Sequence, residues 1–273
     1  MRLAISNIAW PADQDEVVAK LLQEEGVEGV EIAPTKWWPN PLAATAAEIH
    51  DRRHFWEDRG LQIVAAQALL FGKPDFQLFG SQAVRDQMRD YLSTIIELCA
   101  ALGAGPLVFG SPKNRRRGDI AIGDANRIAA DFFRSLAEFA HERGTCLSLE
   151  ANPPYYGADF MTTVAETLEV VRAVDHPGVR LQIDTACMNY VNDAPMPPFE
   201  SATSMIAHFH VSEPNLMEVG TGDVNHESFE KAIRRFDYQN WISIEMRETS
   251  PFDFEGLRRA IRTTKKYYFP SRQ

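Results

Sequence analysis

The sequence predicts a single α/β domain, a (β/α)8 TIM barrel that spans residues 1–273. Three observations support this prediction. Short apolar runs alternate with amphipathic runs along the whole chain, glycines follow several amphipathic runs, and no glycine-rich phosphate motif follows the first apolar run. Such alternation implies parallel strands joined by crossover helices. Eight units without a dinucleotide-binding fingerprint favour a closed barrel over an open, doubly wound sheet.

The predicted strands are four to seven residues long and contain mainly branched and aromatic apolar side chains. They lie at Leu3–Ile8, Val27–Ile32, Leu61–Gln67, Pro106–Phe109, Cys146–Glu150, Val179–Asp184, Ile206–Val211 and Trp241–Met246.

Seven amphipathic segments between these strands predict helices. They are Asp13–Glu25, Ala43–Arg59, Ser81–Leu102, Asp124–Arg143, Phe160–Val174, Ser228–Phe236 and Gly256–Lys266. Gly26, Gly60, Gly103 and Gly144 each follow a helix and precede a strand, which is typical of helix C-termini. The stretch after Asp184 is rich in Pro and Asn, so we expect any sixth helix to be short.

Composition restricts the function. Of the residues, 45% are apolar and 24% are charged, and the net charge of −10 disfavours binding of a nucleic-acid backbone. Three scattered cysteines without a CxxC motif predict a reducing, cytoplasmic setting. No apolar run approaches the roughly 18 residues that a membrane span needs, and the first residues predict a strand rather than a secretory signal.

Four predicted strands end in residues that bind metal ions or transfer protons: Glu150, Asp184, His210 and Glu245. In this barrel the C-terminal ends of the strands converge on one mouth, which carries the active site. Three carboxylates there would repel one another, and a divalent cation removes this penalty. One such residue is more often an ordinary polar strand end, but four in successive units predict a metal site. The donor set favours one Mn²⁺ or Mg²⁺ ion, and Co²⁺ or Zn²⁺ are also compatible.

The motifs "LSLEANP", "LQIDTACMN", "HFHVSEPN" and "SIEMR" contain these four residues. They resemble the metal site of the xylose-isomerase-like TIM barrels, which include D-tagatose 3-epimerase, hydroxypyruvate isomerase, inosose dehydratase and apurinic endonucleases. The ligand intervals are most similar to those of the ketose 3-epimerases. The resemblance implies a metal-dependent isomerase or epimerase of carbohydrate metabolism, active on a keto-sugar that could be phosphorylated or acidic. It implies that Glu150 and Glu245 are both ligands and the proton-transfer pair, and that the protein is a homodimer or homotetramer.

The chain departs from these relatives at two positions. Cys187 stands where the 3-epimerases have a histidine three residues after the aspartate, and Leu216 stands where they have an arginine. In that family both residues contact substrate oxygens, so the departures weaken the case for a free ketohexose as substrate. Apurinic endonucleases need further zinc-binding histidines, for which this chain has Gln67, Cys187 and Asn225. A DNA-repair function is therefore not expected.

Eight residues near the predicted mouth are candidates for substrate binding: Glu31, Trp38, Gln67, Lys113, Asn152, Tyr156, Cys187 and His226. Trp38 follows Trp37 and could stack on a sugar, contact a subunit or pack within its loop. Lys113 begins the basic run of "GSPKNRRRG", which is either a solvated turn or a site for a carboxylate or phosphate. His226 could bind substrate or simply neighbour a helix cap. For Cys187, a small apolar side chain in the mouth is favoured over a reactive thiol.

Two other functions remain open at the sequence level. A lyase would use the same site to dehydrate a keto-polyol such as an inosose, expelling a hydroxyl group instead of returning the proton. A non-catalytic barrel would use its mouth only to bind a ligand. The product of the reaction distinguishes the lyase from an isomerase. The metal content of the purified protein distinguishes the non-catalytic barrel from either enzyme.

Overall fold

Eight parallel strands close into a barrel in chain order, and the last strand pairs with the first. The structure is a computed structural model that describes residues 1–270. The prediction of a (β/α)8 barrel is confirmed. The strands are β1 Arg2–Ser6, β2 Gly29–Ile32, β3 Gln62–Ala66, β4 Pro106–Phe109, β5 Cys146–Glu150, β6 Val179–Asp184, β7 Ile206–Ser212 and β8 Trp241–Glu245.

Nine α-helices are present among the described residues. They are α1 Asp15–Glu24, α2 Ala46–Glu57, α3 Gln82–Leu102, α4 Ile122–Glu142, α5 Val164–Val174, α6 Thr185–Tyr190, α7 Met196–Ala202, α8 His226–Arg235 and α9 Phe254–Tyr268. The interval after Asp184 contains two short helices, α6 and α7, where the sequence predicted at most one. Thr45 begins α2 with a capping box to Glu48, and Gly103 ends α3 at a φ of 90°.

The side chains of the strands alternate between the helical layer and the barrel interior, and this alternation positions the site. On β7, Phe209 points outward, where its ring contacts the rings of Phe199, Phe229 and Tyr268 on α7, α8 and α9. His208 and His210 therefore share the inward face. The neighbouring strands repeat the pattern, with Leu147 and Leu149, Leu181 and Ile183, and Ile242 and Ile244 in the apolar core. The side chains of Glu150, Asp184 and Glu245 consequently point into the barrel interior, as that of His210 does.

The barrel interior beneath the mouth is unusually polar. Ser148, Gln182, His208 and Ser243 are all fully buried there. Buried polar side chains are retained where they hydrogen-bond one another or support a site above them. No helix within residues 1–270 combines the length and the apolarity needed to span a bilayer.

Candidate metal centre and active site

A cavity of about 500 Å³ opens at the C-terminal ends of the strands. Its lining includes Glu150, Asp184 and Glu245. The volume lies within the usual range for small-molecule sites, about 300–1,000 Å³.

Backbone strain is concentrated around this cavity. Eight non-glycine residues within 1–270 have a positive φ, and four of them line the cavity: Ala68, Ser111, Asn215 and Leu216. Such conformations cost about 1–3 kcal/mol each and persist only where the surrounding structure imposes them. Their clustering at one mouth is typical of a functional site.

The imidazole of His210 lies at the centre of the three carboxylates. Its Nδ1 atom is 3.3 Å from Glu245 Oε2, 3.4 Å from Glu150 Oε1 and 3.7 Å from Asp184 Oδ2. Within residues 1–270, Nδ1 is buried and forms no hydrogen bond, and Glu150 Oε1 is buried and unpaired as well. Two unsatisfied polar atoms that face each other in this way need a further binding partner.

The other ring nitrogen of His210 is held from below by Glu31. His210 Nε2 donates to this carboxylate, at 2.9 Å from Oε1 and 3.0 Å from Oε2. Ser243 Oγ donates to Glu31 Oε2 at 2.6 Å, and His208 Nε2 lies 3.3 Å from the same oxygen. In the neutral imidazole, a carboxylate on Nε2 keeps the proton there and leaves a lone pair on Nδ1, directed at the three carboxylates.

Electrostatics at the centre agree with this geometry. Burial, reinforced by the charges of Glu150 and Glu245, raises the pKa of Asp184 to about 7. Burial alone would lower the pKa of His210, but the charges of Glu31 and Glu245 outweigh it and raise that pKa well above its usual value. Carboxylates packed this closely favour the entry of positive charge, whether a proton or a metal ion.

The residues fit a divalent cation. Glu150, Asp184 and His210 each offer a ligand atom within 4.8 Å of the others, and Glu245 offers a fourth beside His210 Nδ1. Neighbouring ligands of an octahedral ion at about 2.1 Å lie about 3 Å apart, which is close to the distances seen here. Three carboxylate oxygens and one imidazole form a donor set for a hard or borderline ion.

Glu150 is oriented by a relay that begins in the basic loop after β4. Arg115 Nη2 donates to Asn152 Oδ1 at 2.9 Å, and Asn152 Nδ2 donates to Glu150 Oε2 at 2.8 Å. A Cβ atom at Gly110 would lie only 2.6 Å from Glu150 Oε2, so this position requires a glycine. Arg115 is fully buried. Burial lowers its pKa to about 10 although the charge of Glu150 opposes the shift, so it stays charged at neutral pH.

Asp184 and Glu245 are held differently. Asp184 caps α6, because its Oδ1 accepts from the Cys187 backbone N–H at 2.6 Å, and its Oδ2 accepts from Ser212 Oγ at 2.7 Å. Within the described residues, the carboxylate of Glu245 accepts no hydrogen bond, and 14% of its side chain is exposed. Glu245 is therefore the least constrained carboxylate of the centre.

Four of the eight candidate substrate-binding residues line the cavity: Gln67, Asn152, Tyr156 and Cys187. Gln67 Nε2 donates to Ser6 Oγ at 2.7 Å, and Tyr156 Oη accepts from the Asn215 backbone N–H at 3.3 Å. Burial raises the pKa of the Cys187 thiol well above its usual value, which makes this residue an inert apolar contact rather than a nucleophile.

The other four candidates do not line the cavity. Glu31 is fully buried behind His210, so it contacts that imidazole and not a substrate. Trp38 is half-buried against the core and makes an edge contact with Trp37, 5.7 Å between ring centroids. Lys113 is exposed on a surface turn, and the neighbouring Arg115 is the basic residue that turns inward.

His226 has a structural role instead of the expected contact with substrate. Asn225 caps α8 and His226 is its first residue, as the cap-neighbour alternative predicted. The ring is buried, with Nδ1 2.8 Å from Tyr268 Oη and Nε2 3.1 Å from Glu213 Oε1. Both nitrogens are thus engaged away from the cavity.

Arg247 also lines the cavity, although it is not among the eight residues predicted to bind substrate. Its position two residues after Glu245 was the available signal, because a side chain at that distance past the end of a barrel strand lies in the βα loop of the mouth.

Comparison with known proteins agrees with this architecture. A family model described as "Xylose isomerase-like TIM barrel" matches residues 19–267. The chain belongs to this family. A crystal structure of D-psicose 3-epimerase determined in the presence of D-fructose superimposes with a TM-score of 0.83 at 17% identity, over 98% of this chain and 99% of that one. The IolI protein, solved with a bound zinc atom, superimposes with a TM-score of 0.76 at 15% identity, over 98% of each chain.

Sequence relatives are 3-epimerases of ketoses. The chain is 26% identical to an L-ribulose 3-epimerase from Methylomonas sp. (strain DH-1) over 225 residues, which are 81% of this chain and 74% of that protein. Three further 3-epimerases match over 46 to 56% of their own lengths. These similarities support a sugar epimerase or isomerase.

Proposed function

We propose that this protein is a divalent-metal-dependent epimerase or isomerase of a ketose or ketose derivative, and that Glu150 and Glu245 transfer the proton. The observation that carries the proposal is the unpaired Nδ1 atom of His210 surrounded by three carboxylates at the floor of the cavity. The 3-epimerase names of the sequence relatives support the same reaction class.

Glu150, Asp184, His210 and Glu245 would hold the ion, with Mn²⁺ or Mg²⁺ preferred by the oxygen-rich donor set. When bound, the ion would supply positive charge beside the carbonyl of a hydroxy-ketone and so acidify the neighbouring C–H group. The remaining lining includes apolar side chains at Val108, Ala186 and Leu216, which would exclude water from the carbon chain.

The two glutamates meet the geometric requirements of a proton-transfer pair. They end β5 and β8, which β6 and β7 separate, so their carboxylates approach the floor from different sides. Glu150 keeps Oε1 free while Asn152 holds Oε2, and Glu245 has no hydrogen bond within residues 1–270. One carboxylate would remove the proton from the carbon beside the carbonyl. Its partner would return a proton to the opposite face, which inverts that carbon.

Replacement of Glu245 by Gln tests the proposal. The change removes a base and nearly keeps the shape, so turnover of a ketose such as D-fructose should fall about 10²-fold or more. Metal content must be measured on the same sample, since Glu245 is also a proposed ligand. Glu248→Gln is the matched control, because Glu248 is paired with Lys36 at 2.6 Å outside the cavity.

Solvent deuterium gives a second measurement. In deuterated water, the product should carry deuterium at the epimerised carbon when the glutamate that returns the proton exchanges with solvent. An isomer of unchanged mass in ordinary water identifies an epimerase or isomerase, and loss of water identifies a dehydratase. Near-normal turnover of Glu245→Gln with metal bound would contradict the two-glutamate mechanism.

A further inference from the structure

Arg247 lines the same cavity as the carboxylate centre and has an exposed side chain. Its guanidinium forms no hydrogen bond and no ion pair with any residue in 1–270. Most other arginines of the described chain do have such a partner, for example Arg258 and Arg262, which both bind Glu25. A cation that faces a cavity without a counter-ion is available to a ligand.

The carboxylate next to Arg247 in the sequence is already paired. Glu248 binds Lys36 at 2.6 Å. The Arg247 backbone N–H donates to the Leu216 carbonyl at 2.9 Å, which fixes the start of the side chain against the loop after β7.

Among the lining residues of the cavity, Arg247 is the single cation within the part of the chain described here. Several of the other polar side chains there are already engaged. Gln67 donates to Ser6, and Asn152 is bound on both of its amide atoms. The strongest free donor group that a substrate meets in this cavity is therefore a guanidinium, which matches the planar oxygens of phosphate and carboxylate.

We propose that Arg247 binds an oxyanion carried by the substrate, a phosphate or a carboxylate at the end of the carbon chain away from the carbon between Glu150 and Glu245. This inference rests on the proposed function and specifies its substrate class as an anionic ketose derivative.

The test compares D-fructose 6-phosphate, its 6-carboxylate analogue and uncharged D-fructose as substrates of the metal-loaded protein. Arg247→Ala should raise KM for the preferred anionic substrate about 10- to 100-fold, the scale of a lost charge-assisted contact, and leave kcat/KM for D-fructose within about threefold. Arg247→Lys should recover part of the loss for a phosphate and less for a bidentate carboxylate. Arg116→Ala is the control, because Arg116 is also exposed and has no side-chain partner among residues 1–270 but lies outside the cavity.

Binding measurements keep this inference separable from the proposed function. Calorimetry with inorganic phosphate, and separately with acetate, should show weak binding to the wild-type protein that Arg247→Ala abolishes and Arg116→Ala keeps. If no ketose is turned over but this binding pattern holds, the oxyanion site stands and the proposed reaction fails. If Arg247→Ala changes the charged and uncharged substrates equally, or leaves both unchanged, the inference is wrong.

Discussion

Glu31→Gln is the most informative perturbation of the centre, because it changes the support of a ligand and none of the ligands themselves. Glu31 is fully buried and accepts from Ser243 at 2.6 Å and from His210 at 2.9 Å. A glutamine has nearly the same shape, but one of its two terminal atoms is an amide nitrogen that cannot accept. The substituted side chain therefore offers one acceptor atom instead of two to Ser243 Oγ and His210 Nε2, with His208 Nε2 also 3.3 Å away.

The conflict is relieved if the proton of His210 moves. When the amide N–H₂ of the introduced glutamine donates to His210 Nε2, the ring proton must lie on Nδ1, where it faces the carboxylates of Glu150, Asp184 and Glu245. A protonated Nδ1 cannot bind a metal ion. Loss of the carboxylate behind a ligating histidine typically lowers metal affinity about 10- to 100-fold, or about 1.4–2.7 kcal/mol.

The assay is calorimetric titration of Mn²⁺ into the metal-stripped protein. NMR of the ¹⁵N-labelled histidine side chains, on the same metal-free samples at a pH above the raised pKa of His210, reports which ring nitrogen of the neutral imidazole carries the proton. We expect Nε2–H in the wild type and Nδ1–H in Glu31→Gln.

Ser243→Ala is the matched control. It removes one donor to Glu31 but leaves the hydrogen bond between Glu31 and His210 intact. It should lower the free energy of unfolding by about 1 kcal/mol and change Mn²⁺ affinity by less than about threefold. Wild-type Mn²⁺ affinity in a folded Glu31→Gln protein would refute the role assigned to Glu31.

Two further predictions concern the surroundings of the site. Gly110→Ala places a Cβ atom 2.6 Å from Glu150 Oε2 and should displace that carboxylate, so turnover should fall at least about tenfold. Gly123→Ala is the control, because a Cβ atom at this position in α4 has no described atom within 4 Å. It should leave turnover unchanged and keep or raise stability. Burial by itself would raise the pKa of Glu213, but hydrogen bonds led by that from His226 lower it below the usual 4.5. The stabilising contribution of the Glu213 carboxylate is therefore complete above about pH 4.5 and lost as the pH falls below that value. In urea unfolding, Glu213→Gln should be less stable than the wild type by about 1–3 kcal/mol at pH 7, and its stability should depend less on pH in the acidic range. Equal pH dependence in both proteins would contradict this assignment.

The sequence allowed the barrel and the convergence of the four proposed metal ligands to be predicted, because both depend on local patterns. The boundaries of β4, β5 and β6 agree with the predicted ones to the residue. β1 ends two residues earlier than predicted because the Ser6 side chain accepts from the Ile8 N–H and turns the chain into a 3₁₀ helix. The four carboxylate and imidazole groups were identified because each occupies the last or nearly last inward position of its strand.

The supporting residues could not be predicted, because their roles depend on contacts between distant parts of the chain. Glu31 meets His210 across 179 residues of sequence, and nothing near Glu31 indicates that it lies behind a ligand rather than in the mouth. Lys113 and Arg115 are two positions apart in one basic run, and the 3₁₀ turn Pro112–Arg115 decides which of them is buried. The partner of Arg115, Asn152, lies 37 residues away on the next βα loop.

Backbone hydrogen bonds explain how the chain can differ from the 3-epimerases at positions 187 and 216 and still keep the geometry of the carboxylate centre. Asp184 is held by the backbone N–H of Cys187, so the side chain at position 187 can change, except to proline, while this hydrogen bond is kept. The loops after β7 and β8 are joined by the backbone bond between Arg247 and Leu216, so either position can carry the guanidinium without moving the other. The carboxylate centre around His210 thus keeps its geometry while the side chains of the surrounding loops change the charge and shape of the cavity. Variation at positions 187, 216 and 247 should therefore alter which ketose binds and leave metal affinity nearly constant.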